Sequence, residues 1–186
     1  MPPFWKPPSL PLTDVFIETG TNRGDSLAVA AGMGYPACLS VEFVDVLFRL
    51  AQERFANHPR IRLFHGSSPE MLPKMIDPAK NTTFWLDAHY CGNDKGFQDP
   101  RFGECPLLKE LEVIMAADWR QPPIICIDDA FIFREDIWNG PSWIFTPQLF
   151  TRSQWPLLAD IAALLPGYEI REENYVLFCV KKLKNE

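Results

Sequence analysis

The chain has 186 residues, 47% hydrophobic and 23% charged, which is ordinary globular usage and enough length for a substantial core. Its net charge of −6 excludes the basic footprint expected of a nucleic-acid binder. No apolar run approaches the ~20 residues of a membrane span, and the opening Met1-Pro2-Pro3-Phe4-Trp5-Lys6-Pro7-Pro8 lacks a secretory apolar region.

Residues 1–14 read as a Pro-rich tail and 15–186 as a single domain. Residues 15–19 predict a first strand, and a helix over 24–33 follows a glycine turn. A second strand, 37–42, ends in an acid. The helix over 44–56 places Val44, Leu47, Phe48, Ala51 and Phe55 on one face. A third strand covers 61–66, and a helix over 67–76 has Ser68 as N-cap and Pro69 at its first position. His65 reads as a packed strand end and His58, before Pro59, as part of a turn. A fourth strand covers 83–87, an irregular stretch 90–103, and a helix 104–117. Glu104 reads as a charge at that helix's N-terminus, favourable to the dipole. A fifth strand covers 123–129, an aromatic-rich segment 131–155, and a helix 154–165. The last two strands, within 168–181, join at a tight turn on Glu173-Asn174. This alternation predicts a doubly wound, seven-stranded, mostly parallel α/β sheet with a C-terminal antiparallel hairpin.

The five cysteines contain no C-x-x-C spacing, and Cys38, Cys126 and Cys179 fall in apolar strands. Reduced thiols and a cytoplasmic location are therefore expected. A zinc clip between Cys91 and Cys105 lacks a convincing ligand set.

Ligands of open α/β sheets sit beyond the C-terminal strand ends. Here those ends carry Glu18, Glu42, His65-Gly66, Asp87 and Asp128-Asp129. The segment Glu18-Thr19-Gly20-Thr21-Asn22-Arg23-Gly24-Asp25-Ser26 is a strand, a glycine turn and a helix start. Such a turn offers a backbone cradle to an adenosine-type cofactor. Asn22, within that turn, tolerates left-handed backbone angles better than most residues do.

Five parallel strands, a final hairpin and these motifs resemble the class I S-adenosylmethionine-dependent methyltransferases. The resemblance implies that the turn cradles the methionine end of the cofactor, through Glu18, Thr19, Gly20, Thr21, Asn22, Gly24 and Ser26. Glu42 stands where that family binds both ribose hydroxyls, a role that suits a carboxylate with two acceptor oxygens. Phe43 is implied against the adenine, with Gly66, Ser67 and Ser68 at its edge and Asp87 beside the cofactor.

Trp85-Leu86-Asp87-Ala88-His89-Tyr90 and Ile125-Cys126-Ile127-Asp128-Asp129-Ala130 are similar to segments of the metal-dependent, macrocin-type O-methyltransferases. That resemblance implies a Mg²⁺ ion held by Asp87, Asp128 and Asp129. It also implies catalytic roles for Asp87 and for His89, the latter as base. Magnesium favours hard oxygen ligands, and a neutral imidazole accepts a proton near neutral pH.

The implied function is O-methylation of a hydroxyl on a small molecule, sugar-like or a natural product, without nucleic-acid or membrane partners. The chain is close to a minimal core, so residues 90–103 and 130–153, or a second subunit in a homo-oligomer, must shape the acceptor site. Phe131, Phe133, Trp138, Trp143, Phe145 and Phe150 serve either that pocket, a subunit contact or ordinary packing. The rival readings are an NAD-linked oxidoreductase and a non-catalytic protein retaining the fold. For the former, the pattern G-x-G-x-x-G fails at Gly20 to Asp25.

Overall fold

The computed structural model describes residues 12–90, 98–139 and 150–182. These form, in chain order, β1 (Val15–Thr19), α1 (Asp25–Met33), β2 (Ala37–Glu42), α2 (Asp45–Phe55), β3 (Ile61–His65) and α3 (Ser68–Met75). Then come β4 (Thr82–Leu86), α4 (Leu107–Ala116), β5 (Ile124–Ile127), α5 (Glu135–Asn139), α6 (Leu158–Leu164), β6 (Tyr168–Glu173) and β7 (Val176–Lys181).

The sheet order is β3-β2-β1-β4-β5-β7-β6. Strands β1 to β5 run parallel, and β7 is antiparallel to both β5 and β6. The order reverses between β1 and β4, so a crevice opens beyond their C-terminal ends.

Every residue of β4 is buried, as befits a central strand covered on both faces. Side chains alternate across the sheet. Ile17, Phe84 and Ile125 join Leu72, Leu111 and Ile114 on one face. Their neighbours Phe16, Trp85 and Cys126 join Leu27, Ala30, Ala51 and Phe55 on the other. On α2 the inward stripe is Ala51 and Phe55, while Val46 and Leu50 are exposed. Cys38, Cys105, Cys126 and Cys179 are buried free thiols, and Cys91 lies outside the described residues. No helix among the described residues is long and apolar enough to cross a membrane.

Four of the differences from the sequence expectation have a clear local reason. The N-cap of α3 is Ser67, not Ser68, which is the first helical residue. Helix α4 starts at Leu107 rather than at residue 104, because Pro106 disfavours helical backbone at the residue before it. Helix α6 starts at Leu158, preceded by a 3₁₀ turn at Arg152–Gln154. Trp155 between them is extended, with φ −113 and ψ 130, as the following Pro156 requires. The final hairpin turns on Asn174-Tyr175, not Glu173-Asn174, and both turn residues have positive φ, 52 and 65. That pairing suits a two-residue hairpin loop, whose twist matches the strands.

Candidate functional site

A cleft of about 280 Å³ opens at the C-terminal ends of β1, β2, β4 and β5. It brings together nine of the residues singled out in the sequence: Gly20, Asn22, Glu42, Phe43, Ser68, Asp87, His89, Asp128 and Asp129. Val41, Val44, Leu47, Ala88 and Tyr90 complete its lining. Of these, Ala88 and Tyr90 flank His89 in the chain, and Leu47 belongs to the predicted inner face of α2.

The turn after β1 is built for close approach. Gly20 has φ +81, and a Cβ there would lie 2.3 Å from the Asp87 carbonyl oxygen. Only glycine fits that left-handed, crowded position. The Gly20 and Thr21 N–H groups both donate to the Val41 carbonyl, at 3.0 and 3.2 Å. Asn22 adopts the left-handed backbone, φ 48. Its N–H donates to Glu42 Oε2 at 2.7 Å, and Val44 N–H donates to Glu42 Oε1 at 2.8 Å. Glu42, 5% exposed, is thus held rigidly at the cleft with a lone pair left on each oxygen.

Glu18, Thr19, Thr21, Gly24 and Ser26 lie beneath the cleft rather than on its wall. The Ser26 hydroxyl donates to Glu18 Oε1 and the Ser40 hydroxyl to Oε2 at 2.5 Å. Thr21 Oγ1 and Ser40 Oγ are 2.6 Å apart. Thr19 Oγ1 and carbonyl both receive the Asp87 N–H, at 3.3 and 3.1 Å. Gly24 caps α1. Gly66 donates to the Glu42 carbonyl at 3.0 Å, behind the wall, while Ser67 lines an adjoining hollow with Gln98, Asp99 and Phe102.

Burial pushes the Glu18 carboxyl up to about 7, against the pull of the Ser26 and Ser40 bonds and helped by the Glu42 charge. A folded-state value above the ordinary 4.5 has a definite sign. The stability this neutral acid allows is complete below about pH 4.5 and is lost as pH rises through about 7. Urea unfolding at pH 5 and pH 8 checks it. The wild type is expected to lose about 2.5 kcal/mol more between those values than Glu18→Gln does.

The acids at the ends of β4 and β5 converge on a histidine. His89 Nε2 lies 3.3 Å from Asp87 Oδ1 and 3.4 Å from Asp129 Oδ2. The imidazole is 8% exposed and its ring faces Trp155 at 5.6 Å. Asp129 is itself left-handed, φ 52, and its N–H donates to Asp128 Oδ1 at 2.8 Å. Burial, then the neighbouring Asp129 charge, raises Asp128 to about 6.

The side chains implied to hold Mg²⁺ are Asp87, Asp128 and Asp129. The point where two of the three carboxylates meet is taken by the His89 nitrogen. Among the described residues, no group of three or more His, Cys, Asp or Glu side chains is placed to hold a metal ion. The donors as they stand do not fit Mg²⁺, which needs near-octahedral oxygen ligands.

Glu104 does work that its sequence position hides. It is buried, and its Oε2 accepts the Thr151 N–H at 2.8 Å and the Trp155 Nε1–H at 2.7 Å. Its carbonyl accepts the Tyr90 N–H at 2.7 Å. Glu104 therefore ties the segment before α4 to the one before α6 and sets Trp155 against His89. Arg101 bonds both Asp99 and Glu70, fastening the same stretch to α3.

Phe131, Phe133, Trp138 and Phe150 pack onto the core, and none of them lines the cleft. Trp143 and Phe145 lie outside the described residues. His65 stacks on Phe48 with ring centroids 4.6 Å apart, and neither His65 nor His58 lines the cleft.

Strand order, switch-point cleft and terminal hairpin together define the class I S-adenosylmethionine-dependent methyltransferase fold. Solved structures share it. A provisionally named caffeoyl-CoA O-methyltransferase from Staphylococcus aureus superposes with a TM-score of 0.62 at 15% identity, over 91% of this chain and 77% of that one. TomG, a Streptomyces achromogenes O-methyltransferase of tomaymycin synthesis, solved with S-adenosylmethionine, gives 0.53 at 14%, over 91% and 74%. An O-methyltransferase family protein from Burkholderia thailandensis gives 0.58 at 14%, over 93% and 52%. At these identities the likeness is one of fold. No protein-family model matches the chain, and no curated protein matches it in sequence.

Proposed function

We propose that this chain is an S-adenosylmethionine-dependent methyltransferase acting on a hydroxyl of a small molecule, sugar-like or a natural product. One observation carries the reading. A buried, doubly anchored Glu42 and the Gly20 cradle share a single cleft with a histidine set between two aspartates. The first pair fits the ribose and the amino-acid end of an adenosyl cofactor. The second fits a hydroxyl that must lose a proton. The fold shared with solved O-methyltransferases supports it.

The cofactor supplies a methyl group on a sulfonium, open to in-line displacement. The chain's own share is to bind, align and take a proton. Glu42 accepts the two ribose hydroxyls, and Phe43 stands beside the base. Gly20 lets the ligand approach the backbone closely. Alignment of this kind can supply much of the rate. Asp87 and His89 face the acceptor side of the cleft, where His89 Nε2 is the site for the hydroxyl proton and Asp87 stabilises the imidazolium that results. No step passes through a metal.

Calorimetric titration with S-adenosylhomocysteine, S-adenosylmethionine and NAD, each with and without Mg²⁺, tests the reading. Micromolar binding of the adenosyl compounds, indifference to Mg²⁺ and no response to NAD are expected. Binding of NAD alone overturns the reading, and silence from all three returns the chain to a non-catalytic role.

A further inference from the structure

A carboxyl on the core face of a helix needs a reason. Glu110 sits on α4 between Leu107, Leu111 and Ile114, and is 1% exposed. Burying a carboxyl there is costly unless partners satisfy it. The Ser68 and Thr19 side chains hydrogen-bond to it, yet its Oε1 has no partner. Both ring nitrogens of His89 are likewise buried without a hydrogen-bond partner; Nε2 lies toward Asp87 and Asp129 at 3.3 and 3.4 Å, which leaves Nδ1 for the other side.

Both residues line one small void beneath the cleft, whose remaining walls are Leu86, Ala88, Cys105, Pro106, Leu107, Ile127 and Phe133. It leaves about 10 Å³ for the centre of a water-sized molecule, roughly what one buried water needs. Two orphaned polar atoms facing an otherwise apolar hole of that size are the usual setting of a structural water.

We infer that Glu110 is a positioning residue for His89, holding the imidazole's Nδ1 across a single bridging water. Which ring nitrogen carries the proton is set by what the other one meets. Nδ1–H donates to the water and the water to Glu110 Oε1, which leaves the Nε2 lone pair for the hydroxyl proton, beside the Asp87 and Asp129 carboxylates. Through Thr19 and Ser68 the Glu110 side chain also touches the end of β1 and the start of α3. The purpose of the contact rests on the proposed methyl transfer; the contact itself does not.

The test is ¹⁵N NMR of the histidine ring nitrogens in the free protein. The wild type is expected to show neutral His89 protonated on Nδ1, with that nitrogen shifted as a hydrogen-bond donor. Glu110→Leu should move the Nδ1 resonance, and Glu110→Gln, which can still bond a water, should restore most of the wild-type position. Leu107→Ala, which widens the void without touching the carboxyl, should leave Nδ1 hydrogen-bonded. An Nδ1 that is free of hydrogen bonding in the wild type overturns the inference even if Glu110→Leu fails to fold, and so does an Nδ1 indifferent to both Glu110 variants. S-adenosylhomocysteine binding is scored separately. The expected Nδ1 behaviour without any binding keeps this contact and discards the methyltransferase reading.

Discussion

Glu42→Gln is expected to weaken S-adenosylhomocysteine binding about 100-fold while leaving the fold intact. Both Glu42 oxygens already accept a backbone N–H, from Asn22 and Val44. A carboxylate can do this and still accept two ribose hydroxyls. A glutamine has one acceptor oxygen. Its amide nitrogen would face a backbone donor, so either the turn after β1 or the segment entering α2 loses its anchor. A hydrogen bond to a charged acceptor contributes roughly 1.5–3 kcal/mol, and losing the better part of two gives the stated factor. Glu42→Asp keeps the charge but withdraws it by one methylene, and should fall between. Calorimetry with circular dichroism as the folding control measures both. An affinity within a fewfold of wild type for Glu42→Gln means the adenosyl group does not sit on β2.

Much of this geometry was legible because it is local. The apolar runs ending at Glu42 and Asp87 mark strands whose ends reach the cleft, whereas Glu18 stays beneath it. Asparagine tolerates a left-handed backbone, and Asn22 adopts one. What was not legible depends on residues far apart in the chain. Glu104 looks like a helix-start charge, and Pro106 alone warns that the helix begins later. Its bonds to Thr151 and Trp155 span some 50 positions. Asp87, Asp128 and Asp129 read as a possible metal set from their types and strand-end positions, and the placement of His89 Nε2 against Asp87 and Asp129 was not legible there. Glu110 was not singled out in the sequence, because its partners on β1 and α3 come from segments no periodicity connects to it.

His89→Ala is expected to lower the rate of methyl transfer about 10²- to 10⁴-fold, the usual range for losing a general base, with binding of S-adenosylhomocysteine unchanged. The proposed cofactor contacts are those of Glu42, Gly20 and Phe43, whereas among the described residues His89 lies against Asp87, Asp129 and the Trp155 ring. Asp87→Asn removes the charge that steadies the imidazolium and should reduce the rate by a similar order. If the two groups act as one proton-accepting unit, the double variant falls little further than His89→Ala alone, because residues that act together are strongly non-additive. Single-turnover transfer of a labelled methyl group to an acceptor found by screening measures all three. The same assay in EDTA separates this mechanism from the metal-assisted one. Full activity without Mg²⁺ and a non-additive pair follow from an imidazole seated between the carboxylates. Activity that vanishes in EDTA and returns with Mg²⁺ would instead mean that His89 leaves that position when the ion arrives, and that the carboxylates, not the ring, prepare the hydroxyl.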